Sequence, residues 1–220
     1  MAIQSRAQQT REKIIAGAAE VFHRVGYQSA SLAEITTSAQ VTKGALYFHF
    51  NSKAEVAMAV IEAQRELVAA GAVVIVSQAP SAVEAMLLLC EDLASRLLTD
   101  PIVKAGIRLT TDAWVFEAPP RGPYDDWLAT FESLVAAGIE QGDIVRSIKP
   151  EMLAHFIIPA FTGVQMVSDV MNERADLHQR VREMWQILLP SIIVPDRVEA
   201  FQRKLGEIFP AESGSESVTQ

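Results

Sequence analysis

The sequence holds a single cysteine, Cys90, four histidines and no uninterrupted apolar run of membrane-spanning length. One thiol cannot close an intramolecular disulfide, which suits a reducing compartment and a cytoplasmic location. Cys90 itself reads as a small buried residue on a helix. No apolar stretch approaches the ~20 residues of a membrane helix, and the longest candidate, 68–76, is short and rich in Ala and Gly. The opening MAIQSRAQQTREK is polar, so no secretory leader is expected. His23, His49, His155 and His178 show neither His-x₃-His nor His-Glu-x-x-His spacing, so no metal ligation is expected. A Gly-x-Ser-x-Gly elbow, a Gly-rich phosphate loop and a Cys/His pair are all missing. These absences argue against an enzyme and against a cofactor.

Net charge is −8, which taken alone disfavours nucleic acid. The distribution reverses that inference. Residues 1–53 carry six basic and three acidic side chains, net +3, whereas 54–220 carry 13 basic and 24 acidic, net −11. A basic head on an acidic body places any polyanion-binding surface at the N-terminus, and the acidic body argues against a general architectural DNA-binder.

Strand-like alternation is scarce and helical spacing recurs throughout, which predicts an all-α fold. Ile14, Ala18, Phe22 and Val25 form one stripe on a first helix over about 8–25, with Gly26 free to end it. Ser31–Glu34, Ser52–Glu55 and Ser81–Glu84 are Ser-x-x-Glu capping boxes, each marking a helix start. Asp100–Pro101, Pro150–Glu151 and Pro195–Asp196 mark others. Helices are accordingly expected near 53–78, 82–99, 101–113, 123–141, 150–171, 174–193 and 195–207. The proline cluster in 117–123 reads as a loop. The domain organisation expected is a three-helix N-terminal domain (1–52), a larger helical effector-binding and dimerisation domain (53–208) and a polar, disordered tail (209–220).

Residues 32–50 have helix-turn-helix spacing. Leu32, Ile35, Val41 and Leu46 supply a small core, with Gln40 and Val41 in the connection. Thr42 can cap the third helix, while Ala45 stands where a boxing glutamate would be, leaving a positive helix end with no carboxylate to repel phosphates. Small residues crowd its first turn (Thr42, Lys43, Gly44, Ala45), so its backbone can approach base edges and Lys43 is the long donor to guanine. Tyr47, His49 and Lys53 can reach phosphates. Phe50 reads as core, and Phe48 as either core or surface.

The run TKGALYFHF (42–50) with Ser52-Lys53 is similar to the signature of the TetR family of repressors, as are Phe22, Gly26 and Tyr27 ahead of Ser31-Leu-Ala-Glu-Ile35. The resemblance implies that Thr42, Lys43 and Gly44 face bases while Ser31, Tyr47, His49 and Lys53 hold phosphates. Ala33 would stand on the DNA side of the second helix. It further implies a homodimer on a pseudo-palindromic duplex operator, its recognition helices ~34–36 Å apart.

The body offers Trp114, Trp127 and Trp185, with Gln64, Thr110, Thr162 and Gln165 in apolar surroundings, the kind of lining a small, mostly apolar effector needs. DPIVKAGIRL (100–109) and PYDDW (123–127) resemble the γ-butyrolactone autoregulator receptors, a branch in which TKGALYFHF is also typical. That resemblance implies a γ-butyrolactone-like effector, control of antibiotic production, and a ligand-binding Trp127, with Gln64 and Thr162 as further polar contacts. The branch also contains pseudo-receptors that answer to antibiotics. Leu153, Phe156, Ile157, Ala160, Phe161 and Val164 form a stripe on one helix and Met184, Ile187, Leu188 and Ser191 on another. Together they are a candidate dimer interface or, failing that, intrasubunit core.

Overall fold

Serine and aspartate hydroxyls and carboxylates start the helices where the capping signals fall. In a computed structural model describing residues 2–111 and 121–210, Ser31 and Glu34 form a complete capping box on α2 (Leu32–Ser38). The Thr42 hydroxyl accepts from the Ala45 amide to cap α3 (Lys43–His49). α4 (Lys53–Gln78) is capped by Ser52, but Glu55 reaches back to the Asn51 amide rather than to that of Ser52. Ser81 caps α5 (Ala82–Thr99), and Asp100 Oδ1 accepts from the Ile102 and Val103 amides at the head of α6 (Pro101–Thr111). α1 spans Ala2–Ser29 and breaks at Gly26, whose φ of 75° lies in the left-handed region, before a last turn to Ser29. Gly26 thus interrupts the regular helix where the sequence places its stop, and one further turn follows it.

The chain divides into two compact units. The first comprises Met1–Ala72 and Arg96–Asp125. Its core joins Ile14, Ala18 and Phe22 of α1 to Ile35, Leu46 and Phe50 of the helix-turn-helix, Val56 and Val60 of α4, and Ala105 and Leu109 of α6. The three N-terminal helices thus share one core with parts of α4 and α6. Gly17 allows α1 and α2 to meet, since a Cβ there would fall 2.5 Å from the Ala39 backbone nitrogen. The turn between α2 and α3 uses Gln40 at φ 53°.

The second unit comprises Val73–Ser95 and Asp126–Gln220. Within it lie most of α5, α7 (Gly122–Glu140) from Asp126 onward, α8 (Pro150–Asn172), α9 (Leu177–Ile192), a 3-10 turn at Pro195–Arg197 and α10 (Val198–Ile208). α9 packs against α8 and α10. The loops after α7 and α9 are stitched by an Ile144–Ile193 bridge, by the Val194 amide on the Asp143 carbonyl, and by an Arg197–Asp143 ion pair. Cys90 is buried, and burial pushes its thiol up to about 12 against a smaller opposing pull from Trp185, so it stays a neutral core residue.

Several expectations change. α9 begins at Leu177 rather than near 174, because Glu173 and Arg174 take left-handed backbone (φ 52° and 64°) to turn the chain out of α8. α7 starts one residue before the expected 123, at Gly122, with Arg121 just ahead of it; residues 117–120 of the expected proline loop, and Trp114, lie outside the described residues. Phe209 is fully buried, so the body extends past the expected start of the tail; 211–220 lie outside the described residues. α8 is also long and apolar enough, by length and composition, to cross a membrane. Its apolar stretches are interrupted by His155, Thr162, Gln165 and Ser168, so the helix is apolar on average without holding a long continuous apolar run.

The stripe on α8 divides between two faces. Leu153, Ile157 and Phe161, spaced by four, are buried within the subunit, while Phe156 is exposed and Ala160 and Val164 are half-buried. A helix advances 100° per residue, so six apolar positions spread over twelve residues exceed one contact face.

A DNA-reading head and a buried carboxamide

On α3, Thr42, Lys43, Gly44, Tyr47 and Phe48 all face solvent. The Lys43 ammonium lies over the Tyr47 ring, 5.7 Å from its centroid. Gly44 has open space about it: a Cβ there would meet only the Thr42 hydroxyl, at 4.0 Å. His49 is half-buried between the rings of Phe48 and Phe50. Phe50 is core, whereas Phe48 is 79% exposed. Of the two places the sequence leaves open for Phe48, core or surface, the structure has the surface: an apolar ring left in water one step from Tyr47.

On α2, Ala33 is exposed, and Ser31 is exposed but engaged. Its hydroxyl donates to Glu34 Oε2 at 2.8 Å and accepts from the Glu34 amide at 3.2 Å. Those hydrogen bonds from the Ser31 hydroxyl and amide hold the Glu34 carboxyl below its usual range, helped least by Arg24. Lys53 faces inward. Its ammonium donates to the carbonyls of Tyr27 (2.8 Å), Ala30 (2.8 Å) and Gln28 (3.1 Å) and sits 4.7 Å from the Tyr27 ring centroid. The phosphate role implied by resemblance meets an ammonium whose three donors are already engaged.

Of the effector candidates, Gln64 and Thr110 lie in the first unit. Gln64 is 1% exposed, and its Oε1 has no hydrogen-bond partner among the described residues. α4 and α6 meet tightly here, because a Cβ on Gly106 would fall 2.5 Å from Gln64 Cβ. The buried Thr110 hydroxyl donates to the Gly106 carbonyl at 2.8 Å, leaving only its acceptor capacity. Trp127, Thr162 and Gln165 lie in the second unit. Trp127 is half-buried, with its ring 5.8 Å from that of buried Phe131. Thr162 bonds back to the Ile158 carbonyl at 2.9 Å. Gln165 is buried, but its Oε1 accepts from Arg174 at 3.0 Å, so it serves the turn out of α8. Among the described residues no group of three or more His, Cys, Asp or Glu could hold a metal ion.

Two family models match. Residues 14–60 match the bacterial regulatory proteins of the tetR family, and 80–195 match the tetracyclin repressor-like C-terminal domain. The chain belongs to the TetR family. Its TetR-type sequence is 38% identical over 195 residues to the A-factor receptor protein of Streptomyces griseus, covering 89% of this chain and 68% of that one. A crystal structure of a γ-butyrolactone receptor, an ArpA-like protein, superposes with a TM-score of 0.79 at 31% identity over 92% of this chain and 98% of the other. CprB from Streptomyces coelicolor, solved in complex with its biological operator sequence, gives a TM-score of 0.77 at 31% identity over 93% and 98%. As a TetR-family member the protein is a transcriptional regulator of the repressor type and not an enzyme.

Proposed function

We propose that this chain is a homodimeric repressor that leaves its operator when a γ-butyrolactone-type signal binds, in control of secondary metabolism. The observation that carries the reading is Gln64: a carboxamide oxygen, buried without a partner among the described residues, in a chain similar over most of its length to a protein named as an A-factor receptor. An unsatisfied buried polar atom costs on the order of 1–3 kcal/mol, so a site that keeps one has a use for it. The carboxamide can be turned to offer oxygen or NH₂ and so can meet either a ligand hydroxyl or a lactone carbonyl. Thr110, in the same unit as Gln64, is proposed as a secondary polar contact; for Trp127 and Thr162 the proposed ligand roles rest on the resemblance to the γ-butyrolactone receptors alone. Gln165 is held by Arg174 and is the weakest of the five.

On the DNA side, Thr42, Lys43 and Gly44 are proposed to face bases, Ser31, Tyr47 and His49 to hold phosphates, and Ala33 to permit close approach. Phe48 joins them as an apolar contact for a thymine methyl. Homodimerisation is supported by the outward faces of α8 and α9. There Met152, Phe156, Val167, Met171 and Ile187 are 56–79% exposed along an apolar groove between the two helices. A second copy of the same patch can cover it, as two-fold symmetry requires.

The test is a mobility shift on the DNA upstream of the protein's own gene, with and without γ-butyrolactones. A specific complex dissolved by them supports the reading. Trp127→Ala is expected to bind the DNA as before and to resist release by at least tenfold in γ-butyrolactone concentration. Unchanged release would remove Trp127 from the site. A specific wild-type complex that no γ-butyrolactone dissolves would make the protein a pseudo-receptor answering to another effector.

A further inference from the structure

We propose that Lys53 and Arg108 are positioning residues for operator reading: two cations, from α4 and α6, that grip the carboxyl end of α1 and fix where α2 and α3 meet the duplex. The inference rests on the reading of the head as a sequence-specific DNA-binder.

The last carbonyls of a helix lack intrahelical partners and carry the negative end of its dipole, so a cation belongs there. The turn that follows Gly26 at the end of α1 has no basic residue of its own. The charge comes instead from outside. Lys53 engages the carbonyls of Tyr27, Gln28 and Ala30, and Arg108 donates through Nη1 to the His23 carbonyl. Between these two grips lies Gly26. A Cβ there would stand 3.1 Å from Arg108 Nη2, so the glycine supplies both the left-handed backbone and the room for the guanidinium. Ala30, the last residue in the Lys53 grip, is buried, and the next residue, Ser31, caps α2. The position of α1's end therefore sets the start of the helix-turn-helix.

The same two helices pack together at Gln64 of α4 and Gly106 of α6. Each of these residues is joined to its cation by one continuous helix, Gln64 to Lys53 and Gly106 to Arg108. A change in packing at the buried carboxamide has a rigid path to each side of the grip. A phosphate could recruit Lys53 only by drawing its ammonium off a carbonyl.

The experiment uses the full-length protein and a duplex selected from a random pool by the wild type. Affinity for this duplex and for a scrambled one is followed against salt for wild type, Lys53→Gln, Lys53→Met, Lys53→Arg and Arg108→Gln, with melting curves for each. Lys53→Gln and Arg108→Gln are expected to lose at least tenfold on the selected duplex. Their affinity for the scrambled duplex and the slope of log K against log salt should stay unchanged, with partial recovery in Lys53→Arg. Lys53→Met keeps the stem that packs on Tyr27 and replaces Lys53→Gln if that variant does not fold. A direct phosphate contact would instead weaken both duplexes together and flatten the slope by about 0.9 per subunit, about 1.8 for the dimer, overturning the proposal. So would variants that melt earlier yet bind the selected duplex normally when folded, which marks a purely structural grip. A wild type that selects no duplex would overturn the DNA-reading assignment itself.

Discussion

Gly44 stands in a helix whose own packing has no need of a glycine. Nothing in the protein crowds its missing side chain, and its φ is not positive. Glycine inside a helix is less stable than alanine by roughly 0.5–1 kcal/mol. Its smallness is therefore directed outward, to whatever α3 approaches. Gly44→Ala is expected to raise stability by up to about 1 kcal/mol in chemical denaturation, while lowering operator affinity about tenfold, or ~1.4 kcal/mol. A variant that is both more stable and equally tight would remove Gly44 from the interface. The residue scale is also where sequence spacing says least. Gln64 and Gln165 look alike as buried glutamines on apolar helices, yet one keeps an unpartnered oxygen and the other is held by Arg174.

At the scale of the element, caps do most to set the boundaries of the head. The α2 box ties Ser31 to Glu34 by reciprocal bonds. Because the Glu34 carboxyl is held below its usual value of 4.5, first by the Ser31 hydroxyl, the charged form is the one the fold prefers. A depressed pKa contributes stability that is full above the unfolded value and lost as pH falls through the folded one. Glu34→Ala should therefore melt earlier than wild type at pH 7, and the gap should narrow as pH drops below 4.5. A gap constant down to pH 2 would separate the cap from the carboxylate's charge. Such elements were legible beforehand because a cap is local: Ser31, Thr42, Ser52, Ser81 and Asp100 act on amides two or three residues away. The inward contacts of Lys53 were not legible for the opposite reason. Its partners lie 23–26 residues earlier, at a helix end that only the folded chain brings near. The α8 stripe was half legible, since periodicity marks apolar faces but not which neighbour each one meets.

For the whole molecule, the segregation of charge and the exposed face of α8 and α9 bear on one question, how two copies meet. A net −8 chain repels its twin at long range, so association needs a desolvated apolar patch strong enough to outweigh that repulsion. The outward side chains from Met152 to Met171, with Ile187 opposite, provide one. Ile187 decides the matter well because it is 79% exposed in the single chain. A glutamate there should disturb the folded subunit by no more than about 0.5 kcal/mol, as for other surface substitutions. In a two-fold interface the same change buries an unpaired carboxylate twice, a penalty of several kcal/mol each time. Ile187→Glu is therefore expected to sediment as a 24.1 kDa monomer with wild-type helicity, while the unmodified chain sediments as a dimer. Operator binding should weaken by at least a hundredfold, because one head then reads one half-site without its partner. If the variant stays dimeric and binds as before, the exposed face of α8 and α9 is not where the copies meet, and the dimer would have to be sought on another surface.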